Sequence, residues 1–232
     1  GTLNTLVGGL AGDALTTGAQ NTALGYGSLG SSTTASYNTA LGREAGATIT
    51  TGASNTLVGT DAGQQLTTGQ ENNIIGHDAG DALTVGSYNQ TLGVAALSAD
   101  TKGSRSIAIG HAALYSQNFT TATDTYNVAI GHAAGNLITV GVRNTLIGGL
   151  TGDAYTEGHY NIAVGYGALT TDTKGQSNVA IGYNALSTQN FTSATNSYNV
   201  AVGHNAGGAV TTGTHNTFIG ALAGDALNLG YY

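Results

Sequence analysis

An Asn-x-x-aliphatic-Gly signature begins at Asn4, Asn21, Asn38, Asn55, Asn72, Asn89, Ser106, Asn127, Asn144, Asn161, Asn178, Asn199 and Asn216, with Ser replacing Asn once. Ten of the twelve spacings are 17 residues, and those after Ser106 and Asn178 are 21. One unit repeated thirteen times leaves no room for a globular fold with a single centre. Stacked repeats bury a continuous core between neighbours, so the pattern predicts a solenoid whose function lies on its surface or at its ends.

Composition removes the competing repeat architectures. Gly occurs 38 times but not every third residue, and Pro is absent, so a collagen helix is excluded. Hydrophobic residues make up 40% and fall in fixed columns, unlike a disordered chain. Five Lys and Arg against 12 Asp and Glu provide no basic stripe, which argues against nucleic acid. Apolar runs fall far short of the roughly 20 residues that cross a bilayer, so no membrane insertion is expected. Gly1 to Leu3, ahead of the first repeat, hold no charged n-region or apolar h-region, so any export signal is expected to have been removed or to lie outside these residues, and no Cys is available for disulfides.

Numbering each rung from its Asn, position 5 is Gly and position 4 is Val, Leu or Ile in all thirteen copies. Position 3 is apolar in all but one, Thr91. Alternation sends positions 3 and 4 to opposite faces of a strand. The expectation is that position 4 lines the coil and position 3 faces a neighbouring copy of the chain.

Positions 9 and 12 covary. Where position 9 is Gly, position 12 is apolar (Gly12 with Leu15, Gly46 with Ile49, Gly152 with Tyr155); where it is Leu, position 12 is polar (Leu29 with Ser32, Leu169 with Asp172). One large apolar side chain per rung, supplied from either point, satisfies close packing. The Asn column, comprising Asn4, Asn21, Asn38, Asn55, Asn127, Asn144, Asn161, Asn178, Asn199 and Asn216 with their repeat mates, is read as a structural hydrogen-bonded ladder at a turn. Gly at position 15, in ten of eleven 17-residue rungs, is read as a second corner, and Thr at position 13 as an outer strand. Each coil is expected to hold two short strands, and thirteen coils stacked ~4.8 Å apart would give a rod on the order of 60 Å long.

The strings SIAIGHAAL at Ser106, NVAIGHAAG at Asn127, NVAIGYNAL at Asn178 and NVAVGHNAG at Asn199 resemble the head repeats of trimeric autotransporter adhesins. They are also similar to the NTALGYxAL-type repeats of bacteriophage tail fibres that end in a self-cleaving chaperone domain. The resemblance covers nearly every rung and implies an all-β homotrimer of left-handed parallel β-rolls, with position 3 near the threefold axis. It also implies an extracellular setting, as a virion tail fibre or cell-surface appendage. The 17-residue period is longer than the usual adhesin head repeat. Residues 1–232 read as one uncapped β-solenoid domain, with Tyr232 at position 17 of the last rung. Such a chain is expected to be a segment of a longer fibre or a unit stacking end to end.

No catalytic residue, cofactor site or metal site is distinguished from its repeat mates, so no enzyme is expected. Asp13, Asp81, Asp153 and Asp225 recur every fourth coil, roughly 19 Å apart, and read as solvated turn residues. His77, His111, His132 and His204 share position 6 without a third ligand in view. The candidate sites are the two expansions carrying Asn118, Phe119 and Thr120 and then Asn190, Phe191 and Thr192. An exposed Phe flanked by Asn and Thr would stack on a cell-surface glycan, while the same Phe folded inward would cover a gap. Asn118, Asn190 and Asn89 also begin N-glycosylation sequons. A structural fibre that projects or contributes to surface attachment is the leading function. The alternatives are a carbohydrate-binding surface using these loops and the Tyr37, Tyr88, Tyr126, Tyr160 and Tyr198 edge, a self-stacking fibril, and ice binding by Thr16 and its column.

Overall fold

The computed structural model describes residues 1–227, leaving the position assigned to Tyr232 outside the described residues. Among these the protein is all-β, with no helix: a parallel β-solenoid of thirteen turns, each built on one three-residue strand. The residues cluster into two compact units, the first comprising 1–112 with 118–124, and the second 113–117 with the residues from 125 onward. Seven of the three-residue strands, from Thr5–Val7 to Ile107–Ile109, fall in the first unit, and six, from Val128–Ile130 to Thr217–Ile219, in the second.

Within each unit every strand pairs in parallel with its counterpart one rung away, in the register of the repeat. Ala23 sits opposite Ala40 and Leu24 opposite Leu41. The 21-residue rung of the second unit does not shift this register, since Ala180 still faces Ala201. Its four extra residues are absorbed outside the main sheet, beside a small sheet pairing Gly175–Gln176 with Thr195–Asn196. Gly103–Ser104 and Thr123–Asp124 pair in the same way in the first unit. Among the described residues a second strand therefore exists only beside the expansions, in place of the outer strand expected in every coil. At position 13 the chain instead carries side-chain ladders: the Thr67 hydroxyl donates to the Thr84 carbonyl (3.0 Å) and Thr84 to Thr101 (2.8 Å).

The strand faces are the reverse of the expectation. Position 3 is the coil interior: Ala23, Leu57, Ile74, Ala108, Leu146 and Ala201 are fully buried, and only Leu6, in the first rung, is exposed in that column. Position 4 points outward, with Leu24 45%, Leu92 49% and Ile181 38% exposed. Alternation creates two faces but does not say which one closes into the coil. The size pattern does: wherever position 9 is Leu, position 3 is Ala or Thr (Ala23, Thr91, Ala108, Ala163, Ala180). These columns share one narrow space. A Cβ added to Gly46 would lie 2.5 Å from Leu57 and 2.9 Å from Ile49.

The exchange between positions 9 and 12 fills that space as expected. Leu29, Ile49, Leu66, Leu83, Leu97 and Tyr155 are each fully buried. The polar residues at position 12 are buried too, namely Ser32, Asp100, Gln117, Asp172 and Gln189.

The two Gly columns have different causes. At position 5, Gly25 has φ +140°, and an added Cβ would lie 2.3 Å from the Gly42 carbonyl oxygen in the next rung. At position 15, Gly52 is excluded from bearing a side chain by contact alone, its Cβ site lying 2.2 Å from the Gly69 oxygen. The corner assigned to position 15 falls instead at position 17, where Tyr37 (φ 64°), Tyr88 (62°) and Tyr160 (59°) adopt the left-handed conformation. Such residues cost about 1–3 kcal/mol each and persist where the surroundings over-determine them.

The Asn ladder supplies that determination. Along the column the Asn side-chain oxygen accepts from the backbone N–H of the next Asn, as Asn21 does from Asn38 (3.0 Å) and Asn38 from Asn55 (2.8 Å), except around Ser106, where the Asn127 N–H donates to the Thr125 hydroxyl instead. In the 17-residue rungs the amide also donates across its own rung, as Asn38 to Gly52 (2.9 Å) and Asn161 to Gly175 (3.0 Å). Because these groups are buried, the bonds replace water that the backbone could not otherwise reach.

Candidate binding surfaces

The expansion loops are pinned from the rung before them. Asp172 Oδ1 accepts the backbone N–H of Gly175 (3.0 Å) and of Phe191 (3.0 Å), while Gln189 Nε2 donates to Asp172 Oδ2 (2.6 Å). The Thr173 hydroxyl donates to the Phe191 carbonyl (2.8 Å) and to Asn190 Oδ1 (3.2 Å). The first unit repeats the device: Phe119 N donates to Asp100 Oδ1 (3.1 Å), and Thr101 donates to Phe119 O (2.8 Å) and Asn118 Oδ1 (3.1 Å). The Asp carboxylates thus take the place of backbone partners that the longer rungs lack.

Held this way, Phe119 and Phe191 are each only 7% exposed. Neither ring presents a face on which a sugar could stack; both cover the coil. Asn118, Thr120, Asn190 and Thr192 remain at the surface, whereas Asn89 is fully buried in the ladder and is no glycan acceptor. Burial pushes the Asp172 carboxyl above its ordinary value against the opposing pull of its hydrogen bonds. Tyr155, buried beside it with its hydroxyl 3.5 Å from Asp172 Oδ2, is pushed well above the usual tyrosine range, chiefly by burial and then by the Asp172 charge. This buried polar group was missed in the residue columns. Its signal is the recurrence of Asp-Thr-Lys-Gly at Asp100 and Asp172, each 17 residues ahead of Gln-Asn-Phe-Thr.

The remaining candidates are dispersed. Among the described residues no group of three or more His, Cys, Asp or Glu is placed to hold a metal ion. His77 Nδ1 lies 3.1 Å from Asp78 Oδ2, and His204 stacks on Tyr183 with ring centroids 5.2 Å apart. Asp81 and Asp153 accept hydrogen bonds from Ser98 and Thr170, both at 2.6 Å. The position-17 tyrosines are exposed, and Arg105 lies 4.7 Å above the Tyr88 ring. The Thr column spends its hydroxyls on neighbouring carbonyls, as Thr16 does on Thr33 (3.0 Å), rather than presenting them in a free array.

Two surfaces stand out geometrically. One is the outward aliphatic file at position 4, which in the first unit includes Leu41, Ile75 and Leu92 and in the second Ile147 and Ile181. It holds a shallow depression of about 290 Å³ lined by Asn73, Ile75, Gln90, Thr91, Leu92 and Ile109. The other is a polar recess of about 320 Å³ in the second unit, lined by Asn184, Ser187, Asn205, Gly208, Leu222 and Asp225. No helix of the described residues is long and apolar enough to cross a membrane. No protein-family model, curated protein or solved structure matches the chain.

Proposed function

We propose that this chain is a structural segment of an extracellular fibre, the shaft of a phage tail fibre or surface appendage, and that it assembles with copies of itself. The observation that carries the reading is the position-4 file. All thirteen residues of that column are Val, Leu or Ile, and no charged residue occupies positions 2, 3 or 4 of any rung. A contiguous aliphatic stripe left facing water is the mark of an association surface. The flanking position-2 residues, such as Thr39, Thr56, Ile107 and Val179, are small or β-branched and suit close sheet packing. The repeat resemblance supports a homotrimer of left-handed coils. In that arrangement positions 2 and 4 face the partner chains, because position 3 is already consumed inside each coil. The reading assigns the chain no catalytic role: its work is to hold a shape and to project or contribute to host or surface attachment.

Sedimentation equilibrium and cryo-electron microscopy of the isolated protein test this. Three chains per cross-section are expected, and Ile75→Lys with Leu92→Lys should yield folded single chains. A well-folded, monodisperse monomer of the unaltered protein would sink the proposal.

A further inference from the structure

We infer that the polar recess of the second unit is a binding site for a neutral saccharide, held by Asn184, Ser187, Asn205 and Asp225. Ser187, Gly208 and Asp225 occupy position 10 in three successive rungs. At two places in that column a hydroxyl and a carboxylate on adjacent rungs satisfy each other, Ser98 with Asp81 and Thr170 with Asp153, both at 2.6 Å. Gly208 interrupts this pairing. It places no side chain between Ser187 and Asp225, and all three residues line the recess.

The lining chemistry selects the ligand. Two amides, a hydroxyl and a carboxylate supply both donors and acceptors, the combination that matches a row of sugar hydroxyls. No Lys or Arg lines the recess, and Asp225 repels anions, so phosphate and acidic sugars are disfavoured. A single carboxylate without His or further acids does not make a metal site. Tyr183 and His204 immediately precede Asn184 and Asn205. Their rings stack at 5.2 Å with planes 10° apart, and Tyr166 stacks on Tyr183 at 5.8 Å. Tyr166 and Tyr183 are about half exposed, but stacking on Tyr166 and on His204 covers both faces of Tyr183, so the sugar contact is assigned to the polar side chains of the recess alone. These residues stand at positions 6, 7 and 10, off the position-4 file, and the inference does not depend on self-association.

The test uses the intact chain with neutral oligosaccharides of glucose, galactose and N-acetylglucosamine, and with sialyllactose, read by saturation-transfer NMR and titration calorimetry. A neutral oligosaccharide is expected to bind, and the Asn184→Ala, Asn205→Ala double variant to weaken it at least about tenfold, a loss of two or more hydrogen bonds. Gly208→Ser, which refills the column, is a second variant expected to weaken binding, while Asn118→Ala leaves it unchanged. Thermal unfolding monitored in parallel identifies any variant that fails to fold, and light scattering on the same samples reports chain association separately. The inference is overturned if no neutral saccharide binds, if only sialyllactose binds, or if both folded variants bind as the unaltered chain does.

Discussion

Asn55 Oδ1 accepts two hydrogen bonds from Asn72, one from its backbone N–H and one from its side-chain amide, both at 3.0 Å. Asn72 then passes the pattern on, its Oδ1 accepting the backbone N–H of Asn89 at 2.9 Å while its amide reaches the Gly86 carbonyl at 3.0 Å. One buried side chain therefore serves three rungs.

Replacing Asn72 with Ala removes these bonds and leaves the Asn89 N–H and the Gly86 carbonyl short of partners in the interior. Each buried unsatisfied group costs about 1–3 kcal/mol, so Asn72→Ala is expected to lose roughly 3 kcal/mol in urea denaturation. Hydrogen exchange should localise the loss to the Asn89 amide. A change below about 0.5 kcal/mol, the range of ordinary surface substitutions, would remove the ladder from the list of stabilising devices.

Exchange of bulk between positions 9 and 12 predicts a rescue. Leu29 is fully buried, and the Ser32 hydroxyl beside it in the rung is buried without a hydrogen-bond partner among the described residues. Leu29→Gly alone should cost about 3 kcal/mol or more through the cavity it leaves. Adding Ser32→Leu recreates the Gly-then-Leu type found at Gly63 and Leu66, and should recover over half of that loss. A double-mutant cycle with no coupling would show that the two columns do not fill one space.

Thr91 is the polar exception in the interior column, 3% exposed, and its hydroxyl has no partner among the described residues. Thr91→Val keeps the shape and deletes the unsatisfied oxygen. It should raise stability by about 1 kcal/mol, seen as a higher denaturation midpoint with unchanged slope. A lower midpoint would mean that the hydroxyl finds a partner in solution.

The raised Asp172 carboxyl predicts an unusual pH dependence. The folded protein holds this proton more tightly than the unfolded chain does. Its stabilising contribution is therefore complete below the ordinary aspartate value of 3.8 and is lost as pH rises through the elevated folded value. Melting temperature measured from pH 3.5 upward should carry a falling component that Asp172→Asn abolishes. Parallel curves for the two proteins would contradict it, whatever the other carboxylates contribute.

The rungs, their parallel stacking and the exchange of bulk between positions 9 and 12 were legible in the sequence because each depends on a repeat and on steric volume, which residue types record directly. The inward role of position 3 was not read from the sequence: the smallness of Ala23, Ala108 and Ala180 wherever position 9 is Leu fits it, but strand alternation gives two faces without saying which one closes, and the expectation chose the other. The sites were less legible. Phe119 and Phe191 look like ligand platforms in a list of residues, yet their backbone N–H groups donate to the Asp100 and Asp172 carboxylates and their rings lie buried. No local rule connects residues 19 positions apart.

Sequence by itself determined that this protein is a stack of rungs, because a 17-residue recurrence of Asn, an aliphatic residue and Gly can bury its apolar columns only against copies of itself. Tertiary structure decided which strand face closes into the coil, which left-handed corner turns the chain at position 17, and where Gly208 meets Ser187 and Asp225 at a recess. Those outcomes depend on how side chains from neighbouring rungs meet in space, and that meeting is set by closure of the coil rather than by any single rung.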